Sequence, residues 1–399
     1  MLEFIPGNLL EYSIGFLTLY VIVFFLLVFL QNMGKINKEP RPPKVLPKIS
    51  VLIPAFNEEE CIAGTIESVL NAGYPRSKLD IIVINDGSTD NTLKIARKYG
   101  KNKVRVINKE NSGKAASLNA GIAVAKGELI ATLDADSYIE KGSIQKMLGY
   151  FADPKVAAVT SVMKVHDPRN VLQRLQGIEY LVTVFSRKIL SYLNSINVTP
   201  GPLSIIRKRI FKEIGGYEET NLLEDQEMAM RIQSYNYKIE SSMSAVVYTE
   251  APSTLRSLVN QRVRWHRGGI RNILKHHYLV SPKYGDFGMF VMPVAILSTL
   301  LVFAVFLIAI FSLLTNNSLL DLFTHGFDAL FFSFTGLQAL GTLIMITTIA
   351  WAVLGIKYIQ RERISAPFLL LYIIIYAPLI TLFWLATAFK EIKRERLRW

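Results

Sequence analysis

Three short acidic or amide-rich strings stand where apolar runs end: Pro54-Ala55-Phe56-Asn57-Glu58-Glu59, Asn85-Asp86-Gly87-Ser88-Thr89-Asp90 and Asp134-Ala135-Asp136. Each has an ordinary explanation on its own, since Asn57 and Asp90 can cap helices and Asp-Gly-Ser is common turn chemistry. Three on one rim of one sheet are a different matter, because their mutual repulsion destabilises the fold unless a cation or a donor-rich ligand is held there. In an extended segment residues i and i+2 point the same way, so Asp134 and Asp136 can face one hard cation, Mg2+ or Mn2+, that keeps some waters and takes diphosphate oxygens. The chemistry implied is departure of a nucleoside diphosphate, the cation and a lysine neutralising charge that develops on the leaving phosphate. Lys114, in Asn111-Ser112-Gly113-Lys114, is the candidate lysine, with a solvated surface lysine as the alternative. Asp86 and the acidic end of the first string are then left to bind base and ribose.

The elements that must position these residues alternate. The apolar runs Ile49 to Pro54, Leu79 to Asn85, Val104 to Ile107, Leu129 to Leu133 and Val156 to Ser161 read as buried strands. Helical patterns over Glu59 to Leu70, Thr92 to Tyr99 and Ala115 to Ala125 separate the first four. That alternation predicts a doubly wound, mostly parallel α/β sheet, in which ligands bind beyond the carboxyl ends of the strands. The chain has neither a GxGxxG nor a P-loop string, which argues against a dinucleotide dehydrogenase or an NTPase.

Of 399 residues, 51% are apolar and 19% charged, with mean hydropathy +0.29, too apolar for a soluble enzyme of this length. A single cysteine, Cys61, excludes an intramolecular disulfide and a multi-thiolate zinc site, and is expected to pack as a small apolar residue on the first helix of the sheet domain. Four apolar runs read as membrane spans: Tyr12 to Leu30, Phe287 to Leu314, Ala329 to Ile356 and Ala366 to Phe389. Lys35, Lys38, Arg41, Lys44 and Lys48 follow the first, so the positive-inside rule puts the N-terminus outside and the sheet domain in the cytoplasm of a multi-pass cell-membrane protein. Simple alternation then leaves the basic tail, with Lys390, Lys393, Arg394, Arg396 and Arg398, on the wrong side. Either a C-terminal run is re-entrant, broken at Pro293 or Pro378, or the short tail tolerates its position. The net charge of +13 largely tracks these spans, and acidic strand ends repel phosphate backbones, which disfavours a nucleic-acid partner. Protein partners are left open by the sequence, and none of the five histidines has a ligand-like pattern.

In fixed order over Lys48 to Ile273, the strings PAFNEE, NDGSTD, GKAASLNAG, DAD, GPLSIIRK, LLEDQE and QRVRW resemble the glycosyltransferase family 2 enzymes. The resemblance implies a GT-A, Rossmann-like catalytic domain beside an α-helical transmembrane bundle, a sugar-nucleotide donor, a divalent metal and inversion at the anomeric carbon. Carried over by motif, Ala55, Glu58 and Asp86 line the nucleoside pocket, Lys114 meets the diphosphate, and Asp134 and Asp136 take the sugar and metal side. Asp225, with Glu224 beside it, matches the catalytic acidic pair and its general base; one carboxylate beyond the metal site suffices to take an acceptor proton. Asp225 also suits a helix N-cap. The family commonly has Thr-Glu-Asp here, whereas this chain has Leu223-Glu224-Asp225. Gly201-Pro202-Leu203 resembles the acceptor-side loop, an idle turn being the alternative.

Gln261-Arg262-Val263-Arg264-Trp265 matches the QxxRW motif of processive members, with Gln261, Arg264 and Trp265 as substrate contacts. An arginine pairs with phosphate and an indole face stacks on sugar, while Trp beside a bilayer is also an ordinary interfacial anchor. Thr254 to Tyr278 reads as a basic amphipathic helix on the membrane surface that presents this motif. The expected organisation is an anchor over 1–34, a catalytic domain over 48–250, an interfacial region over 251–286, three spans over 287–389 and a tail over 390–399. QRVRWHRGG looks most like poly-N-acetylglucosamine synthases, so the expected reaction is processive transfer from UDP-N-acetylglucosamine to a growing polysaccharide or oligosaccharide acceptor, coupled to export. Single-sugar transfer to a polyprenyl phosphate and an inactive nucleotide-sugar-binding protein are the alternatives.

Overall fold

Every residue of β1 (Ile49–Ala55) is buried, as a central parallel strand covered on both faces must be. Its neighbours are β2 (Leu79–Asp86) and β4 (Leu129–Thr132), both parallel to it, and β3 (Arg105–Lys109) extends the sheet beyond β2. The computed structural model describes residues 6–301, 303, 336–359 and 366–393. β5 (Ser137–Ile139), β6 (Val156–Val165), β7 (Ser204–Arg207) and β8 (Lys238–Thr249) complete one eight-stranded sheet in the order β3-β2-β1-β4-β7-β6-β8-β5. β7 runs antiparallel to β4 and β6, so a parallel half and a mixed half meet beside β4. The order reverses at β1, which places the crevice of a doubly wound sheet at the ends of β1, β2 and β4.

Side chains alternate across β1: Ile49, Val51 and Ile53 enter the larger core, Leu52 the smaller one. The larger core takes in α2 (Ile62–Leu70) and the smaller α4 (Lys114–Val124). Of the expected boundaries that move, two bear on the site. α2 starts at Ile62, with Cys61 half-buried ahead of it, and Glu58 and Glu59 lie in the preceding turn. β4 ends at Thr132, so Asp134 to Asp136 is a turn and not the extended segment that alternation assumed. α3 (Thr92–Lys98) follows β2, α5 (Ser143–Leu148) precedes β6, and α7 (Lys208–Ile214) and α8 (Glu224–Ser234) lie between β7 and β8.

A 22-residue helix that the sequence reading missed, α6 (Val171–Tyr192), joins the sheet to the apolar helices. Those are α1 (Pro6–Asn32), α10 (Phe287–Leu301, opening with a π turn), α11 (Gly336–Ile359) and α12 (Ala366–Ile392). Three of them are long and apolar enough to cross a membrane, over Tyr12–Lys35, Thr342–Ile359 and Pro367–Ile392. The rest of the expected Phe287 to Leu314 span and the start of Ala329 to Ile356 lie outside the described residues, as do the last six residues of the tail. Phe185 of α6 meets Phe29 of α1 at 5.7 Å between ring centroids and Trp351 of α11 at 4.8 Å, and Trp351 Nε1 donates to Ser186 Oγ at 3.0 Å. α9 (Leu255–Lys275), capped by a reciprocal Thr254 and Ser257 box, carries the QRVRW string.

Candidate active site

The loops after β1 and β2 are sewn together by the residues that could have been simple caps. Asn57, at φ 55°, accepts through Oδ1 from Thr89 N at 2.8 Å. Asp90 accepts from Glu59 N at 3.1 Å and Thr92 N at 2.9 Å, and Glu59 accepts from Asn91 N at 2.9 Å. Asp86, at the end of β2, is buried and occupied: it accepts from Lys109 Nζ at 2.5 Å, Ser112 N at 3.0 Å and Gly113 N at 2.8 Å. Burial alone would raise its pKa, but these donors hold it below the usual carboxylate range. Asp86 therefore anchors the loop that delivers Lys114, where the sequence suggested a carboxylate left free for base or ribose.

Lys114 is the first residue of α4, and its ammonium lies 2.6 Å from Asp134 and 3.2 Å from Glu224. Burial opposes the charge, but Asp134, Glu224 and Asp225 together hold Lys114 protonated above the usual lysine range. The surface-lysine alternative is thus set aside. Gly201 closes this pair from the other side: a Cβ there would sit 2.4 Å from Asp134 Oδ2 and 2.5 Å from Lys114 Nζ, so a larger residue would push the two charged ends out of this arrangement. Two residues on, buried Leu203 is held at φ 49°, a strained conformation for a branched side chain, and Pro202 accepts from Ser161 Oγ at 3.2 Å. The Gly201-Pro202-Leu203 loop is therefore built against the acids rather than being an idle turn.

Asp136 is half-buried, accepting from Ser137 Oγ at 3.1 Å and Thr249 Oγ1 at 3.4 Å. Burial and then Asp134 push it up to about 6, so the two aspartates remain electrostatic neighbours across their turn. Burial, then Asp136, Asp134 and Asp90, push Glu58 up to about 7. Among the described residues no three His, Cys, Asp or Glu side chains form a ready metal cage. Mg2+ and Mn2+ ask for less, one or two carboxylates with the remaining ligands from water and phosphate, and a half-buried carboxylate crowded by like charge suits such an ion.

Asp225 sits in the first turn of α8, one residue inside the helix, and not at its N-cap, which is Leu223. Its carboxylate accepts from Gln226 N at 2.7 Å, and its carbonyl oxygen accepts from Thr199 N and Oγ1. Burial and then Glu224 push it up to about 7, with Lys114 opposing. The backbone ahead of this pair is held by asparagines: Leu223 N donates to Asn221 Oδ1 at 2.9 Å and Leu223 O accepts from Asn272 Nδ2 at 3.1 Å. Position 223 thus contributes through its main chain, where the family's threonine has a side-chain hydroxyl.

Asn272 belongs to α9, which lies against this segment. The QxxRW residues stand to one side: Gln261 accepts from Arg262 Nη1 at 2.7 Å, and the half-buried Trp265 stacks 4.0 Å from the Arg262 guanidinium. Arg264 is half-buried on the same helix. Arg262, not singled out from the sequence, pairs with Glu179 of α6, and its charge also reaches Tyr180, pushed up to about 12 by burial, with Asp136 adding.

A second residue missed from the sequence is Arg187 of α6. It is 4% exposed, and its Nε and Nη1 have no hydrogen-bond partner among the described residues. Burial lowers it to about 10, with Asp225 opposing. Its one signal was a charged pair inside the apolar helical run Tyr180 to Tyr192. The acids, Lys114 and Gly201 therefore form one cluster at the switch point, joined to α9 through α6.

Residues 50–215 match the family model "Glycosyl transferase family 2". Over 241 residues the protein is 34% identical to the probable glycosyltransferase YdaM of Bacillus subtilis, covering 58% of this chain and 57% of that one. It is 33% identical over 231 residues to the poly-beta-1,6-N-acetyl-D-glucosamine synthase of Staphylococcus epidermidis, covering 57% and 56%. The chain thus spans a little over half the length of these curated relatives. Among solved structures it resembles the Pyrobaculum calidifontis mannosyltransferase PcManGT, crystallised with GDP-Man and Mn2+, at TM-score 0.57 and 19% identity, over 89% of this chain and all of that one. This last likeness identifies the GT-A fold.

Proposed function

We propose that the protein is a membrane-embedded inverting glycosyltransferase that adds N-acetylglucosamine from UDP-N-acetylglucosamine, repeatedly, to a growing β-linked polysaccharide and passes the product across the bilayer. The observation that carries the reading is Lys114: one half-buried ammonium bridges Asp134, on the donor side, and Glu224, next to the proposed Asp225 base. Leaving-group charge and base are thereby held in one electrostatic unit.

In the proposed step, Asp225 takes the proton of the acceptor hydroxyl as that oxygen bonds to the anomeric carbon. The bond from this carbon to the diphosphate oxygen breaks, the electron pair leaves with UDP, and configuration inverts. Lys114 stays protonated and stabilises the departing diphosphate. A divalent ion held by Asp134 and Asp136 would supply Lewis-acid neutralisation of the same phosphates. Gly201 gives the acceptor end close approach, and Trp265 offers a flat face to the chain. The choice of sugar is supported by the Staphylococcus epidermidis relative and by Gly268-Gly269 following the QRVRW string. The membrane setting is supported by the apolar helices packed on α6.

The test is to incubate the purified full chain in detergent with a panel of UDP-sugars, with Mg2+ or Mn2+, and to size the products. High-mass polymer from UDP-N-acetylglucosamine alone is expected. A single sugar on added polyprenyl phosphate, or no turnover with any donor, would overturn the reading.

A further inference from the structure

Away from the acids, a cavity of about 1480 Å³ opens between the sheet domain and the ends of the apolar helices. Lys146, Lys164, Arg174 and Lys357 line it from α5, β6, α6 and α11. Among the described residues none of the four forms an ion pair; Lys146 donates to Ser244 O at 2.8 Å. Two carboxylates share the lining, Glu39 and Glu140, and Glu39 is already bonded to Ser242, Met243 and Ser244. The remaining wall is apolar, with Ile178 and Leu181 from α6, Ile359 from α11 and Phe368 from α12.

A cavity that is cationic on one wall and apolar on another, at the mouths of helices that cross a bilayer, matches an amphiphile: an anionic headgroup against the lysines and acyl chains against α6, α11 and α12. We infer that this cavity is a binding site for an anionic phospholipid of the surrounding leaflet. The inference rests on the membrane reading above but not on the proposed reaction. Four cations drawn from four separate elements, none in an ion pair among the described residues, face this one cavity, and only Lys146 has a hydrogen bond of its own to the wall. A phosphodiester headgroup ties all four elements together, so its occupancy fixes the sheet domain on the bundle.

The full chain is reconstituted in nanodiscs of phosphatidylglycerol and phosphatidylcholine, re-extracted in mild detergent, and its retained lipid is quantified by mass spectrometry. Phosphatidylglycerol should be retained in preference to phosphatidylcholine, and K164E/R174E should lower that retention about tenfold or more. K164Q/R174Q, which adds no repulsion, guards against misfolding and should lower it by a smaller factor, each variant keeping the parent's melting curve. Equal retention of both lipids, unchanged retention in both variants, or displacement of the lipid by free glycerol phosphate would each overturn the assignment, the last by identifying a soluble phosphate ligand. Carbonate extraction separates the two levels: release of the protein to the supernatant would refute the membrane reading itself, whereas a protein that stays with the membrane but retains no phosphatidylglycerol refutes only the lipid site.

Discussion

As the proposed base, Asp225 must be ionised to accept a proton, yet burial and Glu224 hold its pKa up at about 7. The acceptor-dependent kcat/KM should therefore fall about tenfold per pH unit below pH 7, and Asp225→Asn should remove at least about two orders of magnitude of turnover at every pH while UDP binding by calorimetry persists. Arg187 is the buried cation facing this carboxylate from α6, as Lys114 faces it from α4, with Glu224 and Asp134 as the opposing charges. Arg187→Met should move the acid limb to higher pH, because loss of a nearby cation favours the protonated acid; Arg187→Lys should leave it close to the parent position. A purely structural role would change the yield of folded protein and leave the limb where it was.

Stability carries the same imprint. Glu58, Asp136 and Asp225 titrate near 7, 6 and 7 when folded, above their ordinary values, so the folded chain binds more protons than the unfolded one between about pH 4 and 7. Folding free energy from these groups is therefore lost as pH rises through that window. His266, lowered to about 4 by burial and then Arg262, acts the other way, but it is one group against three. Asp80 and Asp86, both depressed, matter only at lower pH. The ligand-free protein should melt at a higher temperature at pH 5 than at pH 7.5, and Mg2+ with UDP should narrow the gap; an unchanged gap would argue against a cation among these acids.

At the scale of elements, the junction of α8 and α9 is the most sensitive to volume. A Cβ on Gly268 would lie 2.7 Å from Leu223 Cβ, immediately ahead of Glu224 and Asp225. Gly268→Val should cost about 1–3 kcal/mol of stability by overpacking and displace the start of α8, lowering kcat more than it weakens donor binding. The first four strands were legible because buried parallel strands are continuous apolar runs, and the candidate site strings follow three of them directly. β7 is only four residues long and β8 alternates buried and half-buried positions among serines, so neither stood out from loop sequence. Asp86, Lys114 and Asp134 could be placed at one rim from the sequence. That Asp86 is already occupied by Lys109 and the Ser112 and Gly113 amides could not, since those partners come from loops whose approach only tertiary packing defines.

Across the whole molecule, the contacts of α12 bear on the conflict over the basic tail. Its Tyr376 bonds Glu179 of α6, its Trp384 stacks on His266 of α9 at 4.2 Å, and Glu391 pairs with buried Arg267 of α9 at 2.6 Å. Phe368, near its start, lines the same cavity as Lys164 and Arg174. The Glu391 to Arg267 pair sets the end of α12 beside α9, and we infer that the tail leaves on the same face as the sheet domain. A reporter fused after Trp399 should therefore be exposed on the same face as one inserted in the sheet domain, and opposite faces would refute the docking of Glu391 on Arg267. One consequence follows from α6, whose Phe185 and Ser186 grip the aromatic wall of α1 and α11 while Tyr180 and Arg187, on the same rigid rod, stand beneath Asp136 and Asp225. Any tilt that a thinner or stiffer bilayer imposes on α11 has to be shared with that rod, so the catalytic rate of this protein should register the mechanics of the lipid around it.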